Sequence, residues 1–436
     1  MGKLQEGIYF GTEKRPRDSF AIIFLKCEQN SNAKQIGTAV GQLWDKYRTL
    51  KNGPSYTLEN DYAPKLHNLS VLIGYGKNVF SLEGTNEVCP QDFSDFSLLV
   101  PKNNGGGSVL QHSELIFDKN VNYNHAAFDD IVIQFIGENE FSTSQAVVET
   151  WRELLSINSP DPVLHLTKFY TGFGRYDNRG WMGFHDGVSN MKSEERKYAI
   201  SIDSSKLNTQ DKWTINGTYM MFMRIAIDLE GWWNSSVEEQ EILVGRDKEK
   251  GYPLVGVDSN GKPVKDIRIT AVGATEVTDP GNEMFRDHPL YGKQGTLPKG
   301  VNDKMLNYSH IGAMRKINNL PSWEKESNRI FRQGFEFLES IDTTQMIRVG
   351  LNFVSFQNTP ERLFNTLTSW TKYDKGYSES PKNVYLKFNK YLSVISAGLF
   401  FVPPTEDGTP YPGYTIFFGK EIFNKESMGS YTFRPT

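Results

Sequence analysis

The sequence predicts an α+β fold made of two ferredoxin-like halves, each with an antiparallel sheet and packing helices. The first half of the chain gives the order strand, helix, strand, strand, helix, strand, which is the ferredoxin-like arrangement. A similar alternation of apolar strands and short helices recurs in the second half. Hydrophobic residues make up 38 % of the 436 residues, including 28 Phe and 20 Tyr, which is enough for substantial cores.

Each predicted element of the first half follows from the spacing of its apolar residues. Four short apolar runs predict strands, at 19–26, 68–75, 129–136 and 164–170. Apolar residues at helical spacing predict a helix over 33–50, namely Ile36, Val40, Leu43, Trp44 and Tyr47. A second helix is predicted over 143–156, with Ser142 or Thr143 as its N-terminal cap.

The second half is predicted in the same way. Three longer apolar runs predict strands, at 217–229, 345–356 and 392–402. Helices are predicted over 237–243 and 360–370, the latter with a proline in its first turn. Residues 245–333 read as a long irregular insertion, and such a segment in a compact domain usually has a functional reason. We place the junction near 195–212, between an N-terminal domain (1–200) and a C-terminal domain (201–436).

Composition limits the classes of partner and compartment. The net charge is −4 without a broad basic surplus, so neither nucleic acid nor an anionic membrane is an expected partner. The sequence shows no apolar run of about 18 residues. The first twenty residues lack the apolar region of a secretory signal. Cys27 and Cys89 alone cannot form a disulfide framework or a four-cysteine metal site, and we expect a cytoplasmic protein.

The motif GFHDG, from Gly183 to Gly187, is the most informative stretch of the chain. It puts the carboxylate of Asp186 in a glycine-flanked loop. Because glycine has no Cβ, such a loop can approach a flat ligand closely, and its acid can accept a proton above that ligand. The alternative interpretation is an ordinary turn, because Asp-Gly pairs are frequent in turns.

Two further residues are candidates for a site. His310 lies in an amphipathic stretch, and it is either a hydrogen-bonded core residue or the single axial ligand of a haem iron. Arg332 lies in the segment RIFRQG. It either belongs to a solvated face or faces a pocket, where its permanent positive charge would stabilise a negatively charged leaving oxygen.

Together with their neighbours, these motifs resemble the dye-decolourising (DyP-type) haem peroxidase family. The stretch 183–190 is similar to the GxxDG signature of that family, and further similar segments follow in the family's order. They are a strand with Arg, Asp and Trp (217–232), VGR-x-K (244–254), the segment of the proximal histidine (309–311), the segment of the distal arginine (329–334) and closing strands (350–362 and 400–404). The resemblance spans most of the chain and is strongest from residue 172 onward.

The resemblance implies that the halves pack as in a dimeric α+β barrel and that haem b is held mainly by the C-terminal half. His310 would ligate the iron, and Asp186 and Arg332 would lie on the opposite, distal side. The other expected haem contacts are Gly183, Phe184, His185, Gly187, Arg246 and Arg315. The family often has an acidic partner for the proximal histidine just before its last strand motif, whereas this chain has residues 396–399, SAGL.

The implied activity is the reduction of hydrogen peroxide to water with one-electron oxidation of dyes, phenolics or similar small donors. Asp186 would be the distal acid-base and Arg332 would stabilise cleavage of the O–O bond. A carboxylate stays ionised where a histidine base would be protonated, so we expect activity weighted towards acidic pH. The alternatives are a haem carrier or sensor, a protein that releases iron from haem, and a module without haem. Free sheet edges in such folds also favour a homo-oligomer.

Overall fold

An eight-stranded antiparallel barrel, closed on itself, organises the chain. The computed structural model describes residues 2–8, 19–52, 69–96, 126, 129–175, 177, 179–185, 193–204, 207–252, 254–265, 300–301, 309–310, 330–341, 347–363 and 391–419.

The N-terminal half contributes four strands to the barrel, β1 (Ser19–Cys27), β2 (Ser70–Tyr75), β3 (Ile131–Gly137) and β4 (Leu164–Phe173). Its helices are α1 (Ala33–Asn52), α2 (Gln91–Asp95) and α3 (Glu140–Ile157), with a 3₁₀ helix at Lys77–Ser81. The four predicted strands and the two predicted helices are confirmed. The predicted cap of α3 was wrong, because Asn139 caps this helix by accepting a hydrogen bond from the Ser142 N–H at 3.0 Å.

The C-terminal half contributes β5 (Thr218–Ile227), β8 (Phe331–Ser340), β9 (Ile347–Gln357) and β10 (Leu392–Val402), with a separate hairpin of β6 (Leu254–Val257) and β7 (Pro263–Lys265). Its helices are α4 (Ser193–Ile200), α5 (Leu229–Trp233), α6 (Val237–Val244) and α7 (Tyr414–Phe418), with a 3₁₀ helix at Thr209–Thr214.

Three predicted strands and the helix α6 of this half are confirmed, whereas the short helices α4, α5 and α7 were not predicted. Strand β8 was not predicted, and the β6–β7 hairpin lies inside the segment predicted to be irregular. Of the helix predicted over 360–370, residues 360–363 are helical and the remainder lies outside the described residues.

The strand order confirms the predicted fold class. Each half has the ferredoxin-like order, β4-β1-β3-β2 in the first and β10-β5-β9-β8 in the second. The halves join edge to edge, β2 to β10 with Tyr75 opposite Phe401, and β4 to β8 with Phe173 opposite Glu336. The described barrel therefore has no free edge, although the expectation of a homo-oligomer was based on free edges. That expectation and the domain junction near 195–212 stay predictions.

Aromatic side chains from both halves fill the barrel. Successive side chains of a strand point to opposite faces. Phe24 of β1 packs against Phe222 of β5 and Phe400 of β10, with ring centroids 5.2 Å and 5.9 Å away, so this face of β1 points inwards. The opposite face packs under α1 and α3. Full burial of each Phe side chain contributes about 1.5–3 kcal/mol to the stability of the barrel.

The N-terminal segment bonds both halves at the seam, the place where β2 meets β10. The buried side chain of Gln5 donates hydrogen bonds to the carbonyls of Ile73 (2.9 Å) and Pro403 (2.8 Å), and it accepts one from the Ile73 N–H (2.9 Å). Lys3 pairs with Thr405 as an isolated β-bridge. Gln5 thus joins β2 to the residue that follows β10, next to the seam.

The described helices include none with both the length and the apolar character that a membrane crossing requires.

We predict that Gln5→Ala lowers the free energy of unfolding by about 1–3 kcal/mol, because buried backbone groups on both sides of the seam lose their partners. Urea unfolding followed by circular dichroism measures this change. Gln91→Ala is the matched control, because Gln91 is exposed and the partner of its side chain among the described residues is Asp95. Equal midpoints for the two variants would contradict this role of Gln5.

Candidate functional site

A tight hairpin, residues 179–185, carries the first half of the GFHDG motif. Arg179 and His185 form an isolated antiparallel bridge, and the Gly180 N–H donates to the Phe184 carbonyl at 3.1 Å. The chain turns where the Gly183 N–H donates to the Gly180 carbonyl at 2.8 Å. Gly183 has φ +86°, a left-handed conformation that favours glycine. The backbone freedom expected of this glycine is therefore used to close the hairpin.

Two indole groups fix the hairpin to the C-terminal half. The Trp181 Nε1–H donates to the carbonyl of Phe337 on β8 at 3.2 Å. The Trp232 Nε1–H donates to the Met182 carbonyl at 3.0 Å, and the Trp232 ring meets that of Phe184 edge-on at 6.2 Å. Trp232 is fully buried in α5. The hairpin is thus held by partners from two different elements.

The VGR segment is shaped by the end of helix α6. Gly245 ends this helix with φ +88°. Asp247, almost fully buried, accepts hydrogen bonds from the N–H groups of Lys250 (3.2 Å) and Tyr252 (2.7 Å) and thereby closes a loop over 247–252. The buried Arg246 guanidinium donates to the carbonyl of Gly251 at 2.9 Å.

Arg179 joins the hairpin to this loop. Its Nη1 donates to the carbonyls of Gly183 (2.7 Å) and Lys248 (2.5 Å). Its Nη2 lies 2.7 Å from Nε2 of His185 and also donates to the Glu249 carbonyl. Residues from the GFHDG and VGR segments, more than 60 positions apart in sequence, are therefore in direct contact.

The side chain of Lys248 lies against the turn of the hairpin. Its Nζ donates to the Gln240 side chain at 2.5 Å and lies 5.7 Å from the centre of the Phe184 ring. Its pKa is lowered, chiefly by burial. A Cβ on Gly183 would come within 2.6 Å of Cε of Lys248, so the contact depends on glycine at position 183.

His310 lies within electrostatic reach of two arginines. The pKa of His310 is lowered to about 4, first by burial and then by the positive charges of Arg332 and Arg246. The residue keeps part of its surface accessible, whereas its Nδ1 is buried. At neutral pH the imidazole is therefore uncharged, which is the form that ligates a metal.

Arg332 is exposed and lies on the outer face of β8. Its neighbours Phe331 and Gln333 are buried, and Phe331 packs with the interior aromatic cluster. Because side chains alternate along a strand, Arg332 points away from the barrel interior. The outer face of β8 that carries Arg332 is therefore the face towards His310, since the charge of Arg332 acts on that imidazole.

This set of groups fits a haem. One neutral imidazole with its ring nitrogens is a sufficient axial ligand for haem iron. The buried guanidinium group of Arg246 suits a carboxylate such as a haem propionate, and the positive charge of Arg332 acts on the same imidazole. Among the described residues, no group of three or more His, Cys, Asp or Glu is placed to hold a bare metal ion.

Not every predicted site residue falls in the described part of the chain. Asp186, Gly187 and Arg315 lie outside it. Gly183, Phe184 and His185 lie in the hairpin, whereas Arg246, His310 and Arg332 form the electrostatic cluster. Arg246 connects the two groups, because it bonds Gly251, whose added Cβ would lie 3.7 Å from the His185 ring.

Sequence reasoning missed the groups that hold the hairpin, which are Arg179, Trp181 and Lys248. The available signal was the density of Arg, Gly and aromatic residues just before the motif. Ser396, the polar residue in the stretch where the family often has an acid, accepts a hydrogen bond from the Ala126 N–H at 3.1 Å.

Comparison with known proteins gives matches at the level of sequence and of structure. The family model for the C-terminal part of Dyp-type peroxidases matches residues 177–407. Deferrochelatase of Escherichia coli O157:H7 is 24 % identical over 237 residues, which are 54 % of this chain and 45 % of the relative. Deferrochelatase of Shigella flexneri is 25 % identical over 238 residues, with the same shares. The chain spans about half the length of the curated relatives it matches.

Solved structures share the fold over nearly the whole chain. A DyP-type peroxidase from Streptomyces coelicolor has a TM-score of 0.63 and 19 % identity, covering 95 % of both chains. Ferric DtpA from Streptomyces lividans has a TM-score of 0.64 and 19 % identity, covering 96 % of both. A DypB variant of Rhodococcus jostii in complex with haem has a TM-score of 0.54 and 14 % identity, covering 92 % of this chain and 96 % of the other.

We predict that Gly183→Ala destabilises the protein more than Gly84→Ala does. Both glycines have positive φ, +86° and +81°, so each alanine costs about 1–2 kcal/mol in backbone strain. The alanine at 183 would also meet Lys248, whereas no described residue lies within 4 Å of a Cβ at 84. Denaturant unfolding of both variants, and of Gly183→Ala with Lys248→Ala, separates strain from crowding. An equal loss at the two positions would contradict the close contact with Lys248.

Proposed function

The chain belongs to the Dyp-type peroxidase family, an enzyme family whose members bind haem, and we propose that it is itself a haem peroxidase. The substrates would be hydrogen peroxide and small one-electron donors such as dyes or phenolics. The observation that carries the proposal is the neutral imidazole of His310 beside the guanidinium groups of Arg246 and Arg332. In this proposal His310 ligates the iron, and Arg246 binds a propionate.

The remaining proposed haem contacts come from the two motifs described above. Gly183 allows the hairpin backbone to approach a flat group, and Phe184 and His185 lie on the strand that leads out of the turn. Gly187 would extend the same approach, and Arg315 would bind the second propionate. These assignments rest on the resemblance and on the position of the hairpin.

In the proposed reaction, Asp186 accepts a proton from peroxide and returns it to the departing oxygen, which leaves as water. Arg332 stabilises the negative charge that develops on that oxygen. Haem, when bound, supplies the iron that takes electrons from the donors and passes them to peroxide. The hairpin fixes the residue just before Asp186, and it thereby limits the positions from which the carboxylate can act.

A second candidate function is the release of iron from haem. The curated relatives that match this chain are named deferrochelatases, and this observation favours the second candidate. A haem carrier or sensor without fast turnover is the third alternative. Product analysis separates them, because iron release leaves a metal-free porphyrin, whereas a peroxidase keeps its haem and oxidises the donor. A cytoplasmic location and a homo-oligomer also remain proposals.

We predict that the haem-loaded protein gives a Soret band that changes within milliseconds to seconds after one equivalent of peroxide. Asp186→Ala should slow this change by about 100-fold or more, the usual scale for loss of a general acid-base group, while haem stays bound. Asp45→Ala is the control, because Asp45 is exposed and pairs with Arg48 of the same helix in the described part of the chain. A fast change in Asp186→Ala would rule out this carboxylate as the acid-base group.

We also predict that haem uptake by the haem-free protein is insensitive to pH from about 8 to 5, because the lowered pKa of His310, about 4, keeps the imidazole unprotonated. Uptake should weaken as the pH falls through that value. Absorbance titration measures it, with His310→Ala losing haem affinity and His165→Ala, at an exposed histidine paired with Glu28, retaining it. A decline that starts near pH 6.5, the ordinary value of histidine, would contradict the assignment.

A further inference from the structure

Arg179 makes contacts that are unusual for an arginine near the surface. Four N–H groups of its terminal nitrogens reach four acceptors, and three of these are backbone carbonyls, those of Gly183, Lys248 and Glu249. A planar guanidinium presents its donors in a fixed geometry, which a lysine ammonium does not. Arg179 therefore fixes the position of the hairpin against the 247–252 loop.

The fourth acceptor of Arg179 is Nε2 of His185. A guanidinium can only donate, so Nε2 carries no proton and the imidazole is in its neutral form. The Glu249 carbonyl lies 3.3 Å from the same nitrogen and would accept from it only if Nε2 carried a proton. The two contacts of Nε2 are thus exclusive, and the choice between them follows the protonation of His185.

We propose that Arg179 is a positioning residue of the peroxidase site, which binds neutral His185 to hold the hairpin before Asp186 and releases it when His185 is protonated. The inference rests on the proposed function, because positioning matters only if Asp186 acts on a substrate. Arg179 acts through the hairpin, since the described partners of its guanidinium are the hairpin and the 247–252 loop.

The direction of the pH effect follows from the groups that face His185. Burial lowers its pKa, Arg179 lowers it further, and the Glu249 carbonyl, Asp247 and Asp177 oppose the change. Histidine in the unfolded chain titrates near pH 6.5, so above that value the contact with Arg179 is fully present. As the pH falls through the lowered pKa of His185 in the folded protein, the imidazole is protonated and its contact with Arg179 is lost.

The first experiment uses hydrogen exchange of the haem-free protein, which does not depend on activity. The Gly180 and Gly183 amides are bonded within the hairpin. Arg179→Lys keeps the charge but loses the fork of donors, so exchange of the hairpin peptide should accelerate by about tenfold. Arg48→Lys is the matched control, because Arg48 is exposed on α1 and pairs with Asp45 of the same helix. Unchanged exchange in Arg179→Lys would overturn the proposal.

The second experiment measures the reaction of the haem-loaded variants with peroxide. Arg179→Lys should react about 10–100-fold more slowly at unchanged haem content, the scale usual for residues that orient a catalytic group. Faster exchange with an unchanged rate would overturn the positioning role. If the wild type itself does not react, the proposed function fails, while the exchange data still decide whether Arg179 holds the hairpin.

The third experiment tests the histidine with His185→Gln, whose carbonyl oxygen still accepts from Arg179 but does not titrate. In the wild type, hairpin exchange corrected for its intrinsic pH dependence should be steady above pH 6.5 and should accelerate as the pH is lowered through the depressed pKa of His185. In His185→Gln it should stay constant. The same acceleration in both proteins would overturn the dependence on His185.

Discussion

Closure of one barrel from two ferredoxin-like halves is the constraint on which the rest of the structure depends. Phe24 comes from one half and Phe222 and Phe400 from the other, so neither sheet can shift without opening voids in a close-packed interior. This closure fixes β8 beside β9 and turns Arg332 to the outside. The candidate site is therefore built on the outer surface of a rigid sheet rather than on loops alone.

The family-like strand at 217–232 shows how such a sheet supports a site from a distance. Arg224 is buried, lies 3.6 Å from the centre of the Phe337 ring, and donates to Asn352 (2.7 Å) and Glu339 (2.6 Å). Glu339 offsets the cost of burying this charge. Further along, the side chain of Asp228 caps α5. That helix carries Trp232, whose indole N–H bonds the hairpin. Asp228 and Trp232 therefore help to position the hairpin.

Elements with a local sequence pattern could be predicted from the sequence, whereas contacts between residues far apart in sequence could not. Apolar runs revealed β1, β2 and β3, because burial on both faces needs continuous apolar residues, whereas β4 alternates apolar and polar residues and is partly exposed. Strand β8 alternates Phe335 and Phe337 with polar residues, a weaker pattern that lay at the end of a long polar insertion. The role of Arg179 could not be predicted, because its partners include carbonyls 69 and 70 positions away, and every residue type has a carbonyl.

The charges around His310 favour the neutral form of its imidazole. Burial disfavours protonation, and the positive charges of Arg332 and Arg246 act in the same direction. In the proposed function, this neutral form would ligate the haem iron. Ser396 pairs with the inward-facing Arg224 across β5 and β10, so its hydroxyl belongs to the barrel interior. Among the described residues, the charges that lower the pKa of His310 are therefore those of Arg332 and Arg246.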